Sequence, residues 1–178
     1  VLASIVEGDG EVGALPLLLR RVAADRLDRV EVRRPVRIKR QRVGHEGELE
    51  KFVHICKADI DDHGGDGVVL LVLDADEDCP ATLGPALLAR MRAVLGDKYP
   101  AVVAFAVKRY ETWLVAGHAD AAWTTEQGAP SKNWFHEREG RYSETVDQPR
   151  ITAKIDLDLA QSRCESLARL IRYVRELT

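Results

Sequence analysis

Cysteine is scarce in this chain: Cys56, Cys79 and Cys164 are odd in number and widely scattered. They have neither the paired spacing of a zinc site nor the density of a secreted disulfide framework. The histidines His45, His54, His63, His118 and His136 likewise show no metal-ligand spacing. No apolar run approaches the roughly 20 residues that a membrane-spanning helix needs, so no membrane association is expected. A charged leader followed by a short apolar core is also missing, which makes a cytoplasmic location the expectation. The chain opens inside a predicted strand without an initiator Met, as expected if a few native residues precede it. Net charge is only −3, so wholesale attraction to nucleic acid is not expected, and the distribution of charge matters more than its total. Internal repeats and low-complexity segments are absent.

What remains is ordinary for a globular chain. Its 178 residues suffice for a real core in one domain without disulfides or a structural metal. Cys56 falls in a predicted amphipathic helix, where it reads as a small buried hydrophobe.

The most informative segment is Val68-Val69-Leu70-Leu71-Val72-Leu73-Asp74-Ala75-Asp76-Glu77-Asp78. The apolar, β-branched run reads as a fully buried strand that ends in alternating carboxylates. Strand alternation would send Asp74 and Asp76 to the same side. Carboxylates held that close repel unless a cation neutralises them, and hard oxygen ligands suit Mg²⁺ or Mn²⁺. A plain acidic turn before a helix is the competing reading. A second apolar strand, Leu2-Ala3-Ser4-Ile5-Val6, ends in Glu7-Gly8-Asp9-Gly10-Glu11, and Leu15, Leu18, Leu19 and Val22 then recur at helical spacing. In an open α/β sheet the carboxyl ends of the strands line the ligand crevice, so both acidic clusters are expected on one sheet edge.

The pattern along the chain is strand, helix, strand, helix, strand, helix, strand. The first strand and helix are expected to run to about Leu27. A second strand from Val30 to Arg42 is interrupted by Pro35, which points to an edge or bulge. A helix from about Glu46 to Asp61 carries Leu49, Phe52, Val53, Cys56 and Ile60 as its apolar stripe. After the third strand, Cys79-Pro80 opens a helix with Leu83, Leu87, Leu88, Met91 and Leu95 inward. Ala101 to Val107 is the fourth strand. Right-handed crossovers make this an α/β fold with a mostly parallel central sheet of about four strands flanked by helices. Residues 1–118 form the α/β core. Residues 119–178 supply an irregular loop or small subdomain, anchored by Trp123, Trp134 and Tyr142, and C-terminal helices packed on the core. The whole is expected to be a single domain.

Val6-Glu7-Gly8 with Glu11 after the first strand, and Leu73-Asp74-Ala75-Asp76 after the third, resemble the signature of Toprim domains. The narrower resemblance is to domain-of-unknown-function family 4276, a Toprim-like group. It extends to Glu111-Thr112-Trp113-Leu114 and Arg150-Ile151-Thr152-Ala153-Lys154. That kinship implies similarity to the nuclease modules of overcoming-lysogenization-defect proteins, which work with ATPases in anti-phage defence. It implies metal binding by Asp74 and Asp76, with Glu7 as ligand or general acid/base. Glu11 and Asp78 become further metal or supporting positions, Glu111 adds a carboxylate, and Lys154 joins Glu7, Glu11 and Glu111 as a catalytic candidate. The expected activity is Mg²⁺- or Mn²⁺-dependent phosphodiester hydrolysis of DNA or RNA, with a separately encoded ATPase as partner. A homo-oligomer is compatible with it. Strand passage of the topoisomerase kind is disfavoured, because it needs a nucleophilic tyrosine from a separate domain. A non-catalytic metal-binding, nucleic-acid-binding or scaffold subunit is the rival reading, and a small-molecule phosphohydrolase is a third.

Phosphates need cations beside such acids. Arg33, Arg34, Arg37, Lys39, Arg40 and Arg42 form the densest basic run. They read equally as phosphate contacts of sequence-independent, salt-sensitive affinity or as charge protecting an edge strand. Lys108 and Arg109 follow the fourth strand on the expected crevice edge. Arg34, Arg37, Lys39, Arg40, Lys108 and Arg109 are therefore the nucleic-acid-binding candidates. Gly8, Gly10 and Gly13 look like a phosphate loop, but the interleaved Glu7, Asp9 and Glu11 disfavour a bare phosphate there. Trp113 reads as core rather than as a base-stacking platform.

Overall fold

The two apolar runs with acids at their ends become neighbouring strands at the centre of one sheet. This computed structural model describes residues 1–24, 29–130 and 132–177. In chain order its elements are β1 (Leu2–Val6), α1 (Asp9–Val22), β2 (Val36–Arg37), α2 (Arg40–Val43), α3 (Glu48–Asp62), β3 (Val68–Asp74) and α4 (Pro80–Leu95). There follow β4 (Ala101–Ala106), α5 (Tyr110–Ala116), α6 (Lys132–Glu139), α7 (Glu144–Thr152), α8 (Leu157–Arg163) and α9 (Glu165–Leu177). The strands lie in the order β2-β1-β3-β4, and every pairing is parallel. The expected α/β class, parallel four-stranded sheet and C-terminal helices are all present.

Both faces of the sheet are covered, which is why its strands are apolar throughout rather than alternating. Leu2, Val6, Leu70 and Val72 point into a core shared with α1, α5, α7, α8 and α9. Ala3, Ile5, Val69, Leu71 and Leu73 point into a second core under α3 and α4. Burying each such Val, Leu or Ile side chain contributes about 1.5–3 kcal/mol. Trp113 is fully buried and Cys56 nearly so, as their settings in the sequence suggested.

Three local expectations need correction. The second strand shrinks to Val36–Arg37, with an isolated bridge between Val32 and Leu2. Pro35 has no N–H to give to a ladder, and the chain beyond Lys39 turns into α2, so strand alternation does not apply to Arg40 and Arg42. The expected end of the first helix near Leu27 lies outside the described residues, and α1 closes at Val22. Finally, the polar stretch between Ala119 and Gln148 carries α6 and the start of α7 rather than one irregular loop. Helix α6 lacks an apolar stripe and is held instead by aromatic contacts. Trp134 meets Phe135 edge-on at 5.0 Å between centroids, Phe135 stacks on Tyr142 at 5.2 Å, and His118 packs on Trp134 at 5.1 Å.

Helices α1 and α7 cross closely, and the glycines of α1 make this possible. A Cβ on Gly10 would collide with Gln148 Oε1 and lie 2.6 Å from the Glu144 carbonyl; one on Gly13 would lie 2.9 Å from Pro149 Cγ. Arg21 ties the far end of the pair by donating to the Thr152 and Ile155 carbonyls at 2.7 Å each. The Gly8-Gly10-Gly13 spacing thus serves helix packing at two of its three positions. Among the described residues, no helix is long and apolar enough to cross a membrane.

Candidate active site

Parallel strands bring their carboxyl ends to one sheet edge, and there a cleft of about 460 Å³ opens between β1, β3, α5 and α7. Glu7 arrives directly after β1, Glu11 from the first turn of α1, Asp74 from the last position of β3, and Glu111 from the first turn of α5. Asp76 and Glu144 complete the acidic lining, and Arg37, Lys39, Arg40 and Arg109 line the same cleft. Acids far apart in sequence therefore do share one edge.

Each acid is held differently. Asp74 Oδ1 accepts the Tyr110 backbone N–H at 2.8 Å, at the start of α5. Glu11 is buried and its Oε2 accepts the Glu7 N–H at 3.2 Å. Glu111, also buried, receives two donors on Oε1: the Tyr142 hydroxyl and Gln148 Nε2, both at 3.0 Å. Glu7 Oε2 is buried and has no partner among the described residues. Asp76 sits past the end of β3 with φ 45°, in the left-handed region, and its carboxylate lies 3.6 Å from Arg109 Nε. Its place in the cleft comes from that turn and not from strand alternation.

Burial and mutual repulsion shape the ionisation of this group. Desolvation, with Glu11, Glu111 and Glu7 close by, pushes the Asp74 carboxyl well above the usual range. Desolvation raises Glu11 as well, against the pull of the Gly8 and Glu7 N–H groups. Glu7 is raised by burial, with Arg40 acting against the shift. Clustered acids with raised pKa values in a cleft mark a candidate functional site.

Some candidates fall elsewhere. Asp78 is exposed and ion-paired with Arg40, and it does not line the cleft. Arg34 is exposed on the other side of Pro35, Lys108 has φ 62°, and Lys154 is exposed beyond the end of α7; none lines the cleft. Arg33 pairs with Asp59 and Glu31, and Arg42 with Glu48, so the basic run divides. Arg37 reaches inward, donating to the Glu7 carbonyl at 3.0 Å and pairing with Asp9 at 3.2 Å. His118 packs in the aromatic cluster rather than at the cleft. Gln41, Glu144 and Gln148 were not singled out by sequence, and Tyr142 only as an anchor of the polar stretch. The available signal for the last three was the glycine spacing of α1, which marks where another helix must press close.

The donor set fits a hard divalent cation: carboxylate oxygens, one of them buried without a partner, in a cleft whose acids outnumber its cations. Among the described residues, no three His, Cys, Asp or Glu side chains are grouped closely enough to enclose an ion by themselves. Mg²⁺ commonly uses one or two carboxylates and keeps several waters. No family model matches this chain, and neither a curated protein nor a solved structure matches it.

Proposed function

We propose that the cleft is the active site of a Mg²⁺- or Mn²⁺-dependent phosphodiesterase of the Toprim-like kind, acting on DNA or RNA. The observation that carries this reading is the convergence of Glu7, Glu11, Asp74 and Glu111 from four elements on one cleft that Arg37, Lys39, Arg40 and Arg109 also line. Glu7 and Asp74 would hold the ion with water completing its shell, and Asp76 lines the same cleft. Bound there, the ion would supply charge neutralisation at a phosphodiester oxygen and at the leaving alkoxide.

The residues of the chain do the rest. Asp74 lines the cleft and is anchored there by the Tyr110 N–H, which limits how its carboxylate can turn. The unpartnered Glu7 Oε2 is the oxygen that such an ion would satisfy. Glu111 is fixed by Tyr142 and Gln148 and adds negative potential beneath the site. Arg37, Lys39 and Arg109 would hold the phosphates flanking the scissile one, which predicts sequence-independent, salt-sensitive binding. By the same resemblance, a separately encoded ATPase of an anti-phage system would be the working partner.

A second reading, a non-catalytic binding or scaffold subunit, is favoured by one specific feature. Arg37, Arg40 and Arg109 are each paired with an aspartate, as they would be in a purely structural charge network. Asp74→Asn separates the two. On the phosphodiesterase reading, the complex reconstituted with its ATPase keeps nucleic-acid binding and loses Mn²⁺-dependent cleavage. If the variant complex functions as the wild type does, the scaffold reading replaces it.

A further inference from the structure

Every side chain that lines the acidic cleft is a carboxylate, a cation or an amide, and Gly8 completes the wall. Among the described residues, no aromatic ring and no aliphatic side chain lines it. Rings on the neighbouring elements are spent elsewhere. Tyr110 and Trp113 of α5 are buried in the core. Tyr142 stacks on Phe135 at 5.2 Å between centroids and gives its hydroxyl to Glu111 at 3.0 Å. That composition limits what the cleft can recognise. Sites for single strands combine a basic track with aromatic rings on which the bases stack. Pockets for small organic ligands are mostly apolar. A cleft of charges and amides offers neither, and phosphates are what it can hold.

The charges are also laid out in order across the sheet, whose strands run β2-β1-β3-β4. Glu7 follows β1 and Asp74 ends β3, so these acids hold the middle. Arg37 lies in β2 with Lys39 just beyond it, and Arg109 follows β4, so the cations hold the flanks. Neighbouring strands lie about 4.8 Å apart, which puts β2 about 14 Å from β4. A duplex crossing the strand ends presents about four phosphates of one backbone over that distance. Base pairing turns the bases away from a surface that has no ring to stack on them. It also doubles the charge density, to one phosphate per about 1.7 Å of axis against about 3.4 Å for one strand. A site that binds through counterion release alone gains from that density.

We propose that the cleft takes base-paired nucleic acid, one backbone of which crosses the strand ends from β2 to β4 with its bases unread. Arg37 and Lys39 meet phosphates on one side of the scissile bond, and Arg109 meets one on the other. Duplex DNA and duplex RNA share this chemistry. The choice of duplex deepens, and rests on, the phosphodiesterase reading of the same cleft.

The test is binding of the Asp74→Asn chain, which keeps the basic track and should not cut, to a labelled duplex and to each of its separate strands over a range of salt. Three phosphate contacts release about 0.9 counterion each from duplex DNA and about 0.7 each from a single strand. Duplex should therefore be preferred about fourfold at about 0.1 M salt and about sixteenfold at about 0.01 M, with the preference fading toward 1 M. An abasic site in a single strand should leave its binding unchanged, whereas loss of a stacked base would weaken it about fivefold or more. Duplex DNA and duplex RNA form separate arms, each compared with its own strands, and preference for duplex in either supports the proposal. Lys39→Gln should flatten the duplex salt slope by about one, which ties the binding to this cleft; an unchanged slope overturns the proposal. Single strands bound as tightly as duplex at low salt, or a penalty at the abasic site, overturn it too. Mn²⁺-dependent cleavage by the wild-type complex would in that case leave the phosphodiesterase reading standing. If neither duplex nor single strands bind, both fall.

Discussion

Replacing Asp74 with asparagine should make the metal-free protein more stable near pH 8. Asp74 sits among Glu7, Glu11 and Glu111, and burial adds to their repulsion in disfavouring its charged form. Like unit charges at an effective dielectric of about 20 repel by about 4 kcal/mol at about 4 Å and by about 2 kcal/mol at about twice that distance. Asparagine is nearly isosteric, and its carbonyl oxygen still accepts the Tyr110 N–H, so the variant loses the charge and keeps the hydrogen bond. A gain of about 2 kcal/mol corresponds to a rise in Tm of about 4–8 °C for a chain of this size. Alanine is a different perturbation. It strands the Tyr110 N–H, at a cost of about 1–3 kcal/mol that cancels most of the relief. The pH dependence carries the sign. The folded-state pKa of Asp74 is raised above its unfolded value, so the folded state binds more protons between the two values. The stability this contributes is complete below the unfolded pKa and is lost as pH rises through the folded one. The wild type should therefore approach the Asn variant in Tm near pH 5 and fall behind it near pH 8, with other titrating groups such as His118 cancelling in the comparison. Thermal unfolding of both proteins in chelator at the two pH values is the assay. A variant less stable than wild type at pH 8, or a gain that does not change with pH, would refute the repulsion argument.

Millimolar Mn²⁺ should raise the wild-type Tm at pH 8 by mass action, and should leave Asp74→Asn unmoved; equal shifts in both proteins would place the ion elsewhere. Gly10→Ala should cost about 1–3 kcal/mol, since the added methyl collides with Gln148 and the Glu144 carbonyl, and thermal unfolding will show a small effect instead if α7 can move aside. Of the three thiols, Cys79 alone should react quickly with a thiol-specific reagent under native conditions. It is exposed, with its pKa lowered by the Thr82 hydroxyl and by N–H groups at the start of α4, whereas burial raises Cys56 and Cys164 to about 12. Removing Arg37, Lys39 or Arg109 should weaken nucleic-acid binding across all sequences and flatten its salt dependence, an outcome that salt-titrated binding measurements check directly.

The amino-acid sequence by itself determined the α/β class, the parallel sheet and the strand-end position of Glu7 and Asp74. Those features follow from local chemistry: β-branched runs bounded by turns, helical periodicity between them, and a connection rule that leaves few topologies. The same logic failed where long-range contact outweighed local pattern. Helix α6 has no periodic apolar face and exists because Trp134, Phe135, Tyr142 and His118 pack together. The basic run looked continuous, yet Pro35 and the start of α2 send Arg37, Lys39 and Arg40 to the cleft while Arg33 and Arg42 are taken up by Asp59 and Glu48. Only the tertiary structure decided that Gln148 and Tyr142 would grip Glu111, because that depends on how closely α1 and α7 approach across Gly10 and Gly13. Periodicity reports which face of an element is buried, but the partner against which that face is buried is settled by packing.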